Sequence, residues 1–248
     1  MDRKKLTQYL LTTFAITYTA WWGLALLTQR GILYASDTLF TLLHVLGGFG
    51  PTIAAIAVLP NRTPKGVWRF VFSREKRSFR YLLLFCAMQG LVVGLSSREL
   101  NPQLPWFAAP IVLLSATFVG GGNEELGWRG ILQPELEKKL PFPVATLLTG
   151  SIWMLWHVPL WFVVGASQQS MNFGLYSIYG LILSFWLATL HKKTKSVWFC
   201  AIFHGFSNLM LSMFLIKVNW ILVVGLLASL VFSIWLYGKS PEDAESAQ

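Results

Sequence analysis

Eight predominantly apolar stretches follow one another along the chain, at 6–28, 39–59, 79–97, 107–123, 144–164, 172–190, 196–216 and 219–237. Each approaches the roughly 20 residues that a helix rising ~1.5 Å per residue needs to cross a ~30 Å hydrocarbon core. The pattern predicts an all-α, polytopic membrane bundle of about eight transmembrane helices, in a single domain over 1–248. The first stretch is too long for the apolar region of a cleavable signal, and no small-x-small site follows it, so it is expected to stay as a helix. Residues 60–80, opened by Pro60 and Pro64, read as a basic loop, and residues 129–143 as a second one. There Pro134, Pro141 and Pro143 are expected to stop or bend any helix. From Ser240 onward the chain turns short and acidic and reads as disordered.

Composition strengthens the membrane reading. Only 12% of residues are charged against 54% hydrophobic, where soluble domains carry roughly 25% charged residues. The net charge of +9 would suit nucleic acid, but its placement points elsewhere. With the N-terminus inside, alternate segments collect nearly all Lys and Arg, leaving only Arg30, Arg98 and Lys217 of the 20 on the opposite side. The positive-inside rule therefore predicts both termini in the cytoplasm, as in a multi-pass protein of the cell membrane, and no nucleic-acid partner. Anionic lipid headgroups are a further use for the basic segments. Cys86 and Cys200 lie inside apolar stretches at a spacing that makes no metal motif, and read as buried small hydrophobes.

Ionisable residues within spans are costly and mark function by default. In Asn123-Glu124-Glu125-Leu126-Gly127-Trp128-Arg129-Gly130, Glu125 and Arg129 stand four apart and share a helix face, so an ion pair is expected. Glu124 is turned about 100° away, which keeps its carboxylate available for chemistry. In the seventh stretch His204 and Asn208 are also four apart. Their N–H groups can aim at one spot, as an oxyanion hole requires, or can bond neighbouring helices as membrane packing glue. His157 follows Trp153 by one turn, and Trp153 could wall the imidazole or a substrate chain. His44 and His191 have no comparable companion and read as structural.

Taken together the three segments resemble the CPBP intramembrane proteases, the CAAX-protease and bacteriocin-processing (Abi) family, whose pattern is EExxxR, FxxxH and HxxxN. This chain reads Glu124-Glu125-x-x-x-Arg129, Trp153-x-x-x-His157 and His204-x-x-x-Asn208. Trp153 departs from the family's Phe, a change expected to bear on pocket shape more than on activity. The motifs cover 124–208, and Gly47-Gly48-Phe49-Gly50-Pro51 resembles a further segment of such proteins.

The resemblance implies an intramembrane endopeptidase that hydrolyses a peptide bond of a membrane-associated or C-terminal CAAX-like substrate. Glu124 would be the general base, His157 would hold the attacking water, and His204 with Asn208 would stabilise the oxyanion. Glu125 and Arg129 would support the Glu124 helix, with Trp153 as an aromatic wall. The family also carries a metalloprotease label, under which Glu124, His157 and His204 would be zinc ligands. Asn208 is a poor zinc ligand that shares a face with His204, so the expectation here is water as nucleophile and no bound cofactor. No HExxH motif occurs. The alternatives are a noncatalytic membrane scaffold or bacteriocin-immunity protein, and a small transporter relaying protons through its His and Glu residues.

Overall fold

The computed structural model describes residues 3–76, 78–97 and 99–239. Arg77, Arg98 and the acidic tail from Ser240 lie outside the described residues. Twelve α-helical segments follow in chain order among the described residues: α1 (Arg3–Gln29), α2 (Thr38–Gly48), α3 (Gly50–Val58), α4 (Pro64–Phe72), α5 (Phe79–Ser96) and α6 (Ala109–Phe118). Then come α7 (Glu125–Gly127), α8 (Gln133–Glu137), α9 (Phe142–His157), α10 (Phe173–Thr194), α11 (Val197–Met213) and α12 (Trp220–Gly238). Beyond these helices and shorter helical turns, one isolated antiparallel bridge joins Leu100 and Phe214.

Each of the eight apolar stretches finds a helix. Six helical stretches, Arg3–Gln29, Phe79–Ser96, Trp106–Glu137, Phe142–Phe162, Phe173–Thr194 and Trp220–Gly238, are long and apolar enough to cross a membrane. The bent pair α2 and α3 makes a seventh, and α11 is apolar but shorter. The chain is an integral, multi-pass membrane protein, an all-α bundle among the described residues. Polar residues start the last two: Ser196 accepts the Phe199 amide before α11, and Asn219 accepts that of Leu222 before α12.

The chain divides into two compact units, 1–68 with 123–184, and 69–122 with 185–248. In the first, α1 packs on α2 and α3 across a run of small residues. A Cβ on Gly47 would stand 2.1 Å from the Trp21 indole nitrogen, and one on Gly50 2.2 Å from Thr17 Oγ1. Only glycine permits this approach. The gap is closed by hydrogen bonds that span the elements. Trp156 Nε1 donates to Thr17 Oγ1 at 2.7 Å, Thr17 donates onward to the Gly47 carbonyl at 2.7 Å, and Trp21 Nε1 donates to the His44 carbonyl at 2.9 Å. The 43° bend between α2 and α3 falls at Phe49, where Pro51 opens the next helix. The segment Gly47–Pro51 is thus the seat of α1.

In the second unit α11 packs on α6 and α5, and α5 on α12. Gly205 lets α6 close on α11, since a Cβ there would meet Thr117 Oγ1 at 2.3 Å and its amide nitrogen at 2.8 Å. Gln89 of α5 donates to Ser207 of α11 at 3.0 Å, both buried. On α12 the small polar residues Ser229 and Ser233 face inward, while Val231 and Trp235 are exposed to what lipid can cover.

Both segments expected outside the spans carry helix: Pro64–Phe72 forms α4 within 60–80, and in 129–143 the helix continues through Pro134 to Glu137. Pro134 cannot donate to the carbonyl four residues back. The turn upstream, Trp128–Leu132, is wound as a π-helix, which widens the backbone before that missing bond. Arg129, Trp128 and Leu132 are fully buried there, so Arg129 is a core residue and not an interfacial charge.

Candidate active site

The first unit holds Glu124, Glu125, Arg129, Trp153 and His157; the second holds His204 and Asn208. In the first, a 3-10 turn at Gly122–Glu124 leads into α7. Asn123 fixes this turn against the α2–α3 bend: its amide donates to the Gly48 carbonyl at 3.0 Å, and its own carbonyl accepts the Thr52 hydroxyl at 2.6 Å. On the far side of the turn, a Cβ on Gly127 would meet Tyr9 Oη at 2.4 Å and the Pro51 carbonyl at 2.8 Å. The segment is therefore pinned between α1 and α3.

That pinning separates the two glutamates. Glu125 Oε2 lies 3.4 Å from Arg129 Nε, with both side chains fully buried. The expected ion pair is present, and the guanidinium also lies 5.4 Å from the centre of the Trp153 ring. Glu124, only 6% exposed, has tryptophans on its carboxylate. Trp153 Nε1 donates to Oε2 at 2.7 Å, and Trp128 Nε1 reaches the same oxygen at 3.4 Å. Sequence reading missed Trp128, although its place four residues after Glu124 was a signal. It also took Trp153 only as a wall, whereas the indole touches the carboxylate itself.

His157 ends α9, and its Nδ1 lies 2.9 Å from the Trp153 carbonyl. A carbonyl only accepts, so Nδ1 carries the hydrogen and Nε2 is the basic nitrogen of the neutral ring. Aromatic rings enclose the imidazole, with centroids at 4.6 Å for Trp156, 5.4 Å for Tyr176, 5.6 Å for Trp153 and 6.2 Å for Trp21. Neither Trp21 nor Tyr176 announces this role in the sequence. His44, by contrast, stacks against Phe40 and Trp21, with ring centroids at 6.2 and 6.0 Å.

In the second unit His204 and Asn208 do share a face of α11, and they meet at Gly121. This glycine has φ +126°, and a Cβ built on it would lie 2.7 Å from Asn208 Nδ2 and 2.8 Å from His204 Nε2. Asn208 Nδ2 also donates to the Gly120 carbonyl at 2.6 Å, which uses one of its two hydrogens. Two side-chain nitrogens therefore border the space that any residue larger than glycine would fill. Gly122 seats the same loop, since a Cβ there would meet the Thr117 and Ala201 carbonyls at 2.4 and 2.5 Å.

For zinc, the candidate ligands Glu124 and His157 belong to the first unit and His204 to the second. Among the described residues no three His, Cys, Asp or Glu side chains form a set that could hold a metal ion. The Glu124 oxygen nearest to other groups is engaged by indole donors. No step below is routed through a metal ion.

Residues 105–210 match the model of the type II CAAX prenyl endopeptidase Rce1-like family, a window that contains all three motifs. The chain is similar over almost its whole length to a CAAX prenyl protease 2 of Methanococcus maripaludis, 27% identical with 93% of each chain covered. Both similarities support an intramembrane endopeptidase acting on peptide substrates at the membrane.

Proposed function

We propose that the enzyme cleaves near the C-terminus of a membrane-associated, CAAX-like protein by direct attack of water, with no bound metal. Glu124 takes a proton from water that His157 Nε2 orients through a hydrogen bond. The water oxygen bonds to the scissile carbonyl carbon, and the charge that develops on the carbonyl oxygen is met by His204 and Asn208. Collapse breaks the C–N bond, and the proton held on Glu124 passes to the leaving nitrogen. Glu125 and Arg129 hold the helix that presents Glu124. The substrate class follows that of the Methanococcus CAAX prenyl protease 2. Both termini are cytoplasmic in this reading, on the strength of the basic residues in alternate segments.

The observation that carries the proposal is that His204 and Asn208 turn their side-chain nitrogens toward the same place on the Gly121 backbone, where a Cβ would lie 2.8 Å from His204 Nε2 and 2.7 Å from Asn208 Nδ2, so that two donors of the kind an oxyanion needs stand side by side. The test is hydrolysis of a prenylated CAAX peptide by the purified full chain and its Glu124→Gln variant. Loss of at least about a thousandfold in kcat, with the fold retained, is expected for removal of the base. A variant that keeps turning over peptide overturns the assignment.

A further inference from the structure

We propose that Trp153 is a positioning residue for the Glu124 carboxylate, acting through its indole N–H; this rests on Glu124 being the general base. The family pattern has phenylalanine at this place, and phenylalanine has no N–H to give. Three observations separate a positioning role from that of a wall. The Nε1–Oε2 distance of 2.7 Å is that of a charge-assisted bond. Both partners are buried, Trp153 at 2% and Glu124 at 6% exposed, so bulk water competes little with the indole for Oε2. The nearest cation of the motif, Arg129, is paired with Glu125. The anion at Glu124 is thus stabilised and oriented by indole donors.

Trp153 supplies the shorter of the two. Trp128 approaches the same oxygen at 3.4 Å, a weaker contact. Trp153 also fixes the second group of the reaction, since its carbonyl accepts Nδ1–H of His157 at 2.9 Å. One residue therefore sets the carboxylate with its side chain and the imidazole with its main chain. A side-chain substitution releases only the first.

Trp153→Phe isolates the N–H. A phenyl ring retains a face for Arg129, which lies 5.4 Å from the ring centre, and an edge for His157 at 5.6 Å. The experiment uses the purified full chain in detergent, with Trp153→Phe and Glu124→Gln variants, CAAX-peptide kinetics, and spectra of protein carrying 15N-labelled tryptophan. The Trp153 indole resonance is assigned by its disappearance in Trp153→Phe. The expected result is a kcat lower by about ten- to a hundredfold, the range for losing a hydrogen bond to a charged group, with KM changed less than about twofold. The Trp153 indole proton is expected well downfield, and to move upfield in Glu124→Gln as the charged acceptor becomes an amide. Wild-type kcat in Trp153→Phe overturns the proposal, as does a change confined to KM, which would make Trp153 a substrate wall. Should Trp153→Phe not fold, the resonance decides alone: an indole proton unmoved by Glu124→Gln overturns it. Glu124→Gln that still turns over peptide defeats the general-base reading instead, and the indole shift still reports whether the bond exists.

Discussion

Replacing Glu125 by glutamine should destabilise the protein far more than the same change at Glu124, although the two are neighbours. Glu125 and Arg129 are both fully buried with charges 3.4 Å apart. At an effective dielectric of about 20, opposite unit charges at that distance attract by about 5 kcal/mol. The neutral amide removes this attraction and strands the guanidinium with the Trp153 ring as its remaining partner. Stranding one member of a buried pair typically costs about 3–5 kcal/mol. For a chain of this size each kcal/mol shifts the melting point by roughly 2–4 °C, so even the lower bound predicts a fall of about 6–12 °C. Thermal unfolding in detergent, followed by tryptophan fluorescence, reads the shift. A second arm guards against nonspecific damage. Glu125→Leu combined with Arg129→Met removes both charges and should recover much of the lost stability, because an apolar pair of similar volume often matches a buried ion pair. A melting point within about 2 °C of wild type for Glu125→Gln, or a double variant no better than the single one, refutes the reasoning.

Two further outcomes test the second half of the site. Gly121→Ala puts a methyl group 2.7 and 2.8 Å from the Asn208 and His204 nitrogens, at a φ of +126° that favours glycine; kcat should fall at least about a hundredfold, as for loss of an oxyanion donor, and unchanged turnover would exclude this spot. Exhaustive treatment with a strong chelator should leave peptide turnover intact and elemental analysis should find no stoichiometric zinc; activity lost on removal and restored on return of zinc would make Glu124, His157 and His204 ligands.

What could be read from the sequence was what helical spacing alone dictates. Glu125 with Arg129, and His204 with Asn208, are each four residues apart, and both pairs meet as that geometry requires. The eight helices were legible because the bilayer demands long apolar runs. Which face of each helix points inward was not, because lipid is as apolar as a protein core and the hydrophobic pattern loses its contrast. On α12 only Ser229 and Ser233 betray the inner face; Val231 and Trp235, equally apolar to the residues packed elsewhere, lie outside. Contacts between distant parts of the chain were also hidden. The Thr52 hydroxyl bonds the Asn123 carbonyl 71 residues away, and nothing near Thr52 marks it. Pro134 misled because its rule concerns an ideal α-turn, and a π-turn absorbs the missing bond.

The density of glycine around the first motif has one physical cause. From Gly120 to Gly127 nearly every residue is fixed from outside its own turn. Within the second unit, the Gly120 carbonyl takes the Asn208 amide, and Gly121 and Gly122 leave no room for a Cβ against α11 and Thr117. Within the first, Asn123 is held by Gly48 and Thr52, Glu124 by two indoles, Glu125 by Arg129, and Gly127 packs against Tyr9 and Pro51. A carboxylate that must accept a proton at one oxygen has to be aimed before the substrate arrives, since reorganisation during the reaction raises the barrier. Polar contacts aim it, and the glycines let the backbone come close enough to make them. This arrangement explains why stability and turnover must be measured side by side in this segment. On the proposed mechanism a substitution at Glu125 or Gly127 acts through the scaffold and one at Glu124 through the chemistry, whereas Trp153→Phe keeps a ring in place while removing a single donor from the Glu124 carboxylate.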